Sequence, residues 1–299
     1  MNSSNEYLLS IAISATNSSS LSICLNSILA ERISFVEVLV NNAVESEEVS
    51  DVIKKYGIKE IRKKTKILES RDIVIREAKG KYVLLMDDTR YIRLHDLRII
   101  CNRLETTLKK IIIIPEFQTG SQFGDSILRN NLKNYVSASK EYDPIKRRFI
   151  LPRLYEKNLL SLSMNQIKKD IPTNIFFNLE ALDLELIYLQ AYRIHNEIGL
   201  FEGVYIYHLP TGGAIYEFKK FFKYGFNTRI LKQISPYKKL GNLKGRMRIP
   251  RNKKDLYSSL FIVVYRGIPF TLGFIYKFME ERKIYQFWLD SFKRIKGKN

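Results

Sequence analysis

A chain of 299 residues can hold one large domain, or one domain with an appendage, and at 45% hydrophobic and 12% aromatic residues it is globular and not disordered. Its two cysteines, Cys24 and Cys101, stand far apart in apolar surroundings, which excludes a disulfide framework or a zinc spacing and fits a reducing compartment. The net charge of +19 is uneven: from Glu217 to Asn299 there are 21 Lys/Arg against 5 Asp/Glu, and that excess of 16 points to an acidic partner such as lipid headgroups, phosphates or nucleic acid.

The opening "MNSSNEYLL" has no basic segment followed by a long apolar one, so no secretory signal is expected. "LLSIAIS" (8–14) reads as a buried strand. "TNSSS" is then a turn whose Ser18–Ser20 offer N-caps to "LSICLNSILAER" (21–32), where apolar residues recur at helical spacing. "FVEVLVNNA" (35–43) is a second strand, "SEEVSDVIKKYG" a helix ending at Gly57, and "IKEIRKK" a short third strand. "ESRDIVIREAKG" predicts a helix stopped by Gly80, and "KYVLLMDD" (81–88) a strand that runs straight into Asp87 and Asp88. A helix over "LHDLRIICNRLETTLKK" and a strand over "IIIIPEF" (111–117) follow.

From 118 to 170 the pattern is harder to follow, although "RRFILPRLYEKNLLSLS" reads as a strand leading into a helix. "ALDLELIYLQAYRIHN" (181–196) is helical, "GVYIYHL" a strand and "IYEFKKFFKYGFNTRILKQI" a basic, aromatic helix. "PYKKLGNLKGRMRIPRNKK" reads as a basic linker. In "DLYSSLFIVVYRGIPFTLGFIYKFMEE" the charge-free runs are about ten residues each, short of the ~20 that span a bilayer. An amphipathic segment lying on a membrane surface is expected there; a helical hairpin packed on the main domain is the other reading.

Strands alternating with helices imply an α/β fold with a mostly parallel, doubly wound sheet, whose ligands bind beyond the carboxyl ends of the strands. Asp87 and Asp88 fall at that edge. Adjacent carboxylates there suit a divalent cation carrying substrate phosphates, and equally suit a helix N-cap at Asp88 or Thr89.

Several stretches together, in order, resemble family-2 glycosyltransferases of the GT-A fold. They are "LLSIAISATNSSSLSICLNSIL…FVEVLVNN", "ESRDIVIREAKGKYVLLMDDT", "FILPRLYEKNLL", "ALDLELIYLQAYRIHNEIGLFEGVYIYHLP" and "EFKKFFKYGF", spanning about residues 8–226. The resemblance implies a GT-A domain over 1–235, and the charge and apolar runs beyond it a basic, amphipathic helical region over 236–299. It implies an inverting transfer of a sugar from a nucleotide-diphosphate donor to a glycan or lipid-linked acceptor hydroxyl, assisted by Mg²⁺ or Mn²⁺. Asp183 would be the general base. Asn17, Glu37 and Asn41 would line the nucleotide pocket, with Arg71 near the diphosphate and Asp87 at the donor. Asp88 and His208 would hold the metal, and Arg153 a phosphate or the acceptor.

The chain departs from the family pattern at five places. Asn41 replaces an aspartate, and Thr89 stands at the third position of Asp-x-Asp, which weakens metal binding. Leu182 replaces a glutamate although Glu180 is near. Asp72 replaces an asparagine, and Leu209–Pro210 follow the histidine where many relatives are acidic. A catalytically inactive nucleotide- or partner-binding protein is therefore the alternative. The expected placement is cytoplasmic, peripheral at the inner face of the cell membrane, with an anionic surface as partner; no nucleic-acid-binding motif is found, so nucleic acid is not expected as a partner.

Overall fold

The computed structural model describes residues 7–118, 151–209, 214–241 and 263–281. The chain divides into two compact units, Met1–Thr211 and Gly212–Asn299.

In the first unit, β1 (Tyr7–Ala15), β2 (Val36–Asn42), β3 (Lys59–Arg62) and β4 (Gly80–Asp87) alternate with α1 (Ser18–Ile28), α2 (Glu47–Lys55) and α3 (Ile67–Glu77). β5 (Arg90–Tyr91), α4 (Leu94–Thr106), β6 (Ile111–Ile113) and β7 (Glu116–Gln118) follow. After the segment 119–150 come β8 (Leu154–Glu156), α5 (Lys157–Asp170), α6 (Thr173–Asn178), α7 (Asp183–Ile194), β9 (Ile198–Leu200) and β10 (Ile206–His208).

Seven strands form one sheet in the order β3-β2-β1-β4-β8-β6-β9. All its pairings are parallel except those of β8, which runs antiparallel to β4 and to β6. The expected mostly parallel, helix-flanked sheet is thus present. β1 and β4 lie at its centre and are covered on both faces, so both are apolar along most of their length. Leu9, Ile11 and Ile13 of β1 meet Leu21, Cys24, Leu25 and Ile28 of α1 in one core, with Leu97, Ile100 and Cys101 of α4. The alternate residues Ser10, Ala12 and Ser14 are small, which leaves room for α3 on the other face. Both cysteines are buried free thiols.

Three local readings change. Asn17, not the serines, caps α1, its Oδ1 accepting from the Ser20 N–H at 2.9 Å. Gly80 does not end α3, which stops at Glu77; it opens β4, where a Cβ would lie 2.5 Å from the Ser10 nitrogen. "IIIIPEF" is two strands, because Pro115 has no N–H to continue the ladder. β7 instead joins a second sheet, β5-β10-β7.

The second unit contains α8 (Ala214–Lys232), a 3₁₀ turn (Ser235–Gly241), a π turn (Val263–Gly267) and α9 (Ile268–Glu281). The dividing point precedes the expected boundary at 235 because the basic, aromatic helix α8 packs on α9. A Cβ on Gly225 would fall 1.8 Å from the Phe270 carbonyl oxygen, and one on Gly273 2.0 Å from that of Phe222, so the two backbones touch. Arg229 Nε donates to Glu281 across this pair at 2.9 Å. No helix among the described residues is long and apolar enough to cross a membrane.

Candidate active site

Register alone places three polar residues in one row. Ser14 pairs with Asn41 on β2 and with Asp87 on β4, all at the carboxyl ends of central strands. Beneath the row lies Arg71 of α3, whose side chain is only 1% exposed. Its Nη1 donates to the Met86 carbonyl at 2.6 Å and to Ser14 Oγ at 3.4 Å. Its Nη2 donates to Asp87 Oδ1, and its Nε to Asp183 Oδ2 at 2.9 Å. One guanidinium therefore ties the sheet edge to the first residue of α7. Leu182, which precedes Asp183, is buried with φ of 72°, a left-handed conformation that costs a bulky residue about 1–2 kcal/mol. That turn swings the amino end of α7 towards Arg71.

The short second sheet closes the row from above. Arg90 of β5 lies in register with His208 of β10, which lies in register with Gln118 of β7. Arg90 Nη1 donates to Asp87 Oδ2, and its Nε pairs with Glu116 Oε2 at 3.3 Å. Arg153, just ahead of β8, donates from Nε to Glu116 Oε1, and its Nη1 stands 3.6 Å from Asp87 Oδ2. Tyr91 stacks on Tyr207 at 5.1 Å, which stiffens this small sheet.

Burial alone would raise the Asp87 carboxyl, but Arg71, Arg90 and Arg153 overcome it and hold the group well below the usual carboxylate range. Glu116 is likewise brought down to about 2 by Arg153 and Arg90 against its burial, with His208 adding to the effect. Asp88 goes the other way. Burial raises it, and its hydrogen bonds to the backbone of Thr16 and Asn17 only partly oppose the rise. Those N–H groups donate to Asp88 Oδ2 at 2.6 and 2.7 Å.

Most of the expected site residues meet here. Asp87, Asp88 and Asp183 share the edge. Asn17 contributes its backbone N–H, since its side chain is committed to the α1 cap. Asn41 is buried beside Ser70 and Thr65, donating from Nδ2 to their hydroxyls at 2.7 and 3.0 Å, which an aspartate could not do; its Oδ1 accepts no hydrogen bond among the described residues. Arg71 and Arg153, expected on the donor phosphate and on a phosphate or the acceptor, are buried inside the ion-pair network, with side chains 1% and 3% exposed. Glu37 is not brought to the edge. It lies four positions before Asn41 on β2, roughly 13 Å away at ~3.3 Å per residue, where Oε2 accepts from Ser10 Oγ and from the Lys79 N–H. Arg90 and Glu116 were not anticipated. Their signals were a cation three residues after Asp87 and the sole charge in the apolar run 111–117.

Asp87 and Glu116 offer a divalent ion no open oxygen, whereas Asp88 Oδ1 is not among the hydrogen-bonded atoms described. Each oxygen of Asp87 and of Glu116 already faces a guanidinium, and Asp88 Oδ2 already accepts two amides. Among the described residues no three His, Cys, Asp or Glu side chains converge.

A mostly parallel, helix-flanked sheet with one antiparallel strand, beside a small second sheet, is a GT-A-like fold. Among solved structures, TarS of S. aureus (residues 1–349, with UDP) matches with a TM-score of 0.53 at 14% identity, over 86% of this chain and 70% of that one. A longer TarS chain matches at TM-score 0.54 and 15% identity, over 88% of this chain and 43% of that one. The mannosyltransferase PcManGT of Pyrobaculum calidifontis, with GDP-Man and Mn²⁺, matches at TM-score 0.56 and 11% identity, over 88% and 74%. No family model and no curated protein matches the chain by sequence.

Proposed function

We propose that the protein is a glycosyltransferase that moves a sugar from a nucleoside-diphosphate sugar to an acceptor hydroxyl with inversion. The observation that carries this reading is the Arg71 bridge, which holds Asp183 beside the Ser14–Asn41–Asp87 row at a GT-A edge. The acceptor oxygen bonds to the anomeric carbon as the bond from that carbon to the diphosphate oxygen breaks, the proton passes to Asp183, and the nucleoside diphosphate departs. UDP or GDP should bind, and Asp183→Asn should lower transfer about 10²–10⁴-fold while leaving binding within a few-fold. Calorimetry and a transfer assay check this; full activity in the variant would overturn the assignment of the base. The engagement of Asp87 by three arginines favours a second reading, a nucleotide-binding protein without turnover, which binding with neither transfer nor sugar-nucleotide hydrolysis would establish.

A membrane-peripheral placement at the cytoplasmic face, with a glycan or lipid-linked acceptor, belongs to the same proposal. It is supported by the excess of 16 positive charges over Glu217–Asn299 and by exposed Ile268, Leu272 and Ile275 at helical spacing on α9. Flotation with anionic liposomes, weakened by salt and by Leu272→Lys, is the expected result; no flotation would refute it.

A further inference from the structure

The three arginines around Asp87 are not equivalent. Arg71 is the only described cation on Asp183, and Arg153 joins Glu116 to the carbonyl of Leu85, to which Nη1 donates at 3.2 Å. Arg90 differs in two respects. Its side chain is 13% exposed, against 1% for Arg71 and 3% for Arg153. Both of its partner carboxylates are also held by another arginine, Asp87 by Arg71 and Arg153, and Glu116 by Arg153. Arg90 can therefore turn to an incoming anion and leave both of these described carboxylates paired. Its backbone is in register with His208, the residue expected as a metal ligand, and its head lies on Asp87, beside which Thr89 supplies no third carboxylate.

We infer that Arg90 takes the place of a divalent cation: its guanidinium binds the diphosphate of the donor and neutralises the departing nucleoside diphosphate, and the protein needs no metal for either. This rests on the glycosyltransferase reading of the same edge. A planar guanidinium meets phosphate through two parallel N–H bonds and needs no ligand set of its own, which suits an edge where both oxygens of Asp87 and of Glu116 already face arginines.

The test is calorimetric titration of the full chain with UDP and GDP, in EDTA and in Mn²⁺, alongside electron paramagnetic resonance of Mn²⁺ and thermal melting of each variant. Affinity should be the same within about twofold in both conditions, with no Mn²⁺ held in the nucleotide complex. Arg90→Ala should weaken binding roughly ten- to a hundredfold, Arg90→Lys less, because an ammonium lacks the fork. Arg98→Ala, which alters an exposed surface pair between α4 and Glu31, should bind as the parent does. Strict Mn²⁺ dependence, or unchanged affinity in a folded Arg90→Ala protein, would overturn the inference and leave the transferase reading standing. Failure of both nucleotides to bind in either condition would overturn both.

Discussion

The two sheets of the first unit are built on opposite terms. The seven-stranded sheet owes its stability to burial: β1 and β4 are sealed on both faces, and the charge at its edge, Arg71, is fixed by four acceptors inside the protein. The three-stranded sheet has strands of two or three residues, too short to be stable alone, and is held by the Tyr91–Tyr207 stack and by ion pairs shared among Arg90, Glu116 and Arg153. The large sheet sets the floor of the site rigidly, and the small one brings to it a cation with redundant partners. The proposed exchange of an internal counter-ion for a substrate phosphate would draw on both kinds of support.

The sharpest way to break this comparison is to remove one arginine from each side. Arg71→Met leaves Asp183 buried with no described cation and should lower unfolding stability by about 3–5 kcal/mol. Arg90→Met leaves Asp87 and Glu116 each with an arginine and should cost about 1 kcal/mol or less. Urea denaturation of the two variants under one condition measures the difference. Equal losses would mean that the small sheet is as much a part of the structural network as the large one.

The neighbouring aspartates test the same contrast at a smaller scale. Asp87 is stabilised as an anion by three guanidinium groups, so Asp87→Asn should cost about 2–3 kcal/mol at neutral pH. Asp88 is raised by burial, which means that its charge is a burden to the fold at neutral pH. An asparagine there can still accept the Thr16 and Asn17 amides through its carbonyl oxygen, so Asp88→Asn should be neutral or slightly stabilising. A loss at Asp88 as large as that at Asp87 would contradict the electrostatic difference between them.

What could be read from the chain follows the same division. The central strands were legible because a parallel strand buried on both faces must be apolar for nearly its whole length, and α1 because Leu21, Leu25, Ile28 and Leu29 recur at helical spacing. Asp87 and Asp88 were legible as charges that end such a strand. The small sheet was not, since two or three residues carry no period, and Pro115 divides what looks like one apolar strand. Arg71 resembles any helix arginine; its depth is set by Asp183, 112 positions further on, which no local pattern records. Glu37 was drawn towards the site by resemblance, and only the pairing of Ser10 with Glu37 shows that it lies at the other end of the strand.

The smallest expected effect is a change in pH dependence. Glu116 is held at about 2, below the ordinary 4.5, so its contribution to stability is complete above pH 4.5 and is lost as pH falls from there through 2. Asp87, also depressed, loses its contribution in acid in the same direction. Asp88, being raised, has the opposite sign: its protonated form is favoured by the fold, and that advantage disappears as pH rises through its folded value. Glu116→Gln should therefore cost about 1 kcal/mol at pH 7 and nothing near pH 2, so that stability falls less steeply between pH 4.5 and 2 than in the parent. A variant whose acid limb matches the parent's would show that the Arg90–Glu116–Arg153 pairs add nothing to the fold, and the small sheet would then rest on its backbone pairing and its aromatic contacts.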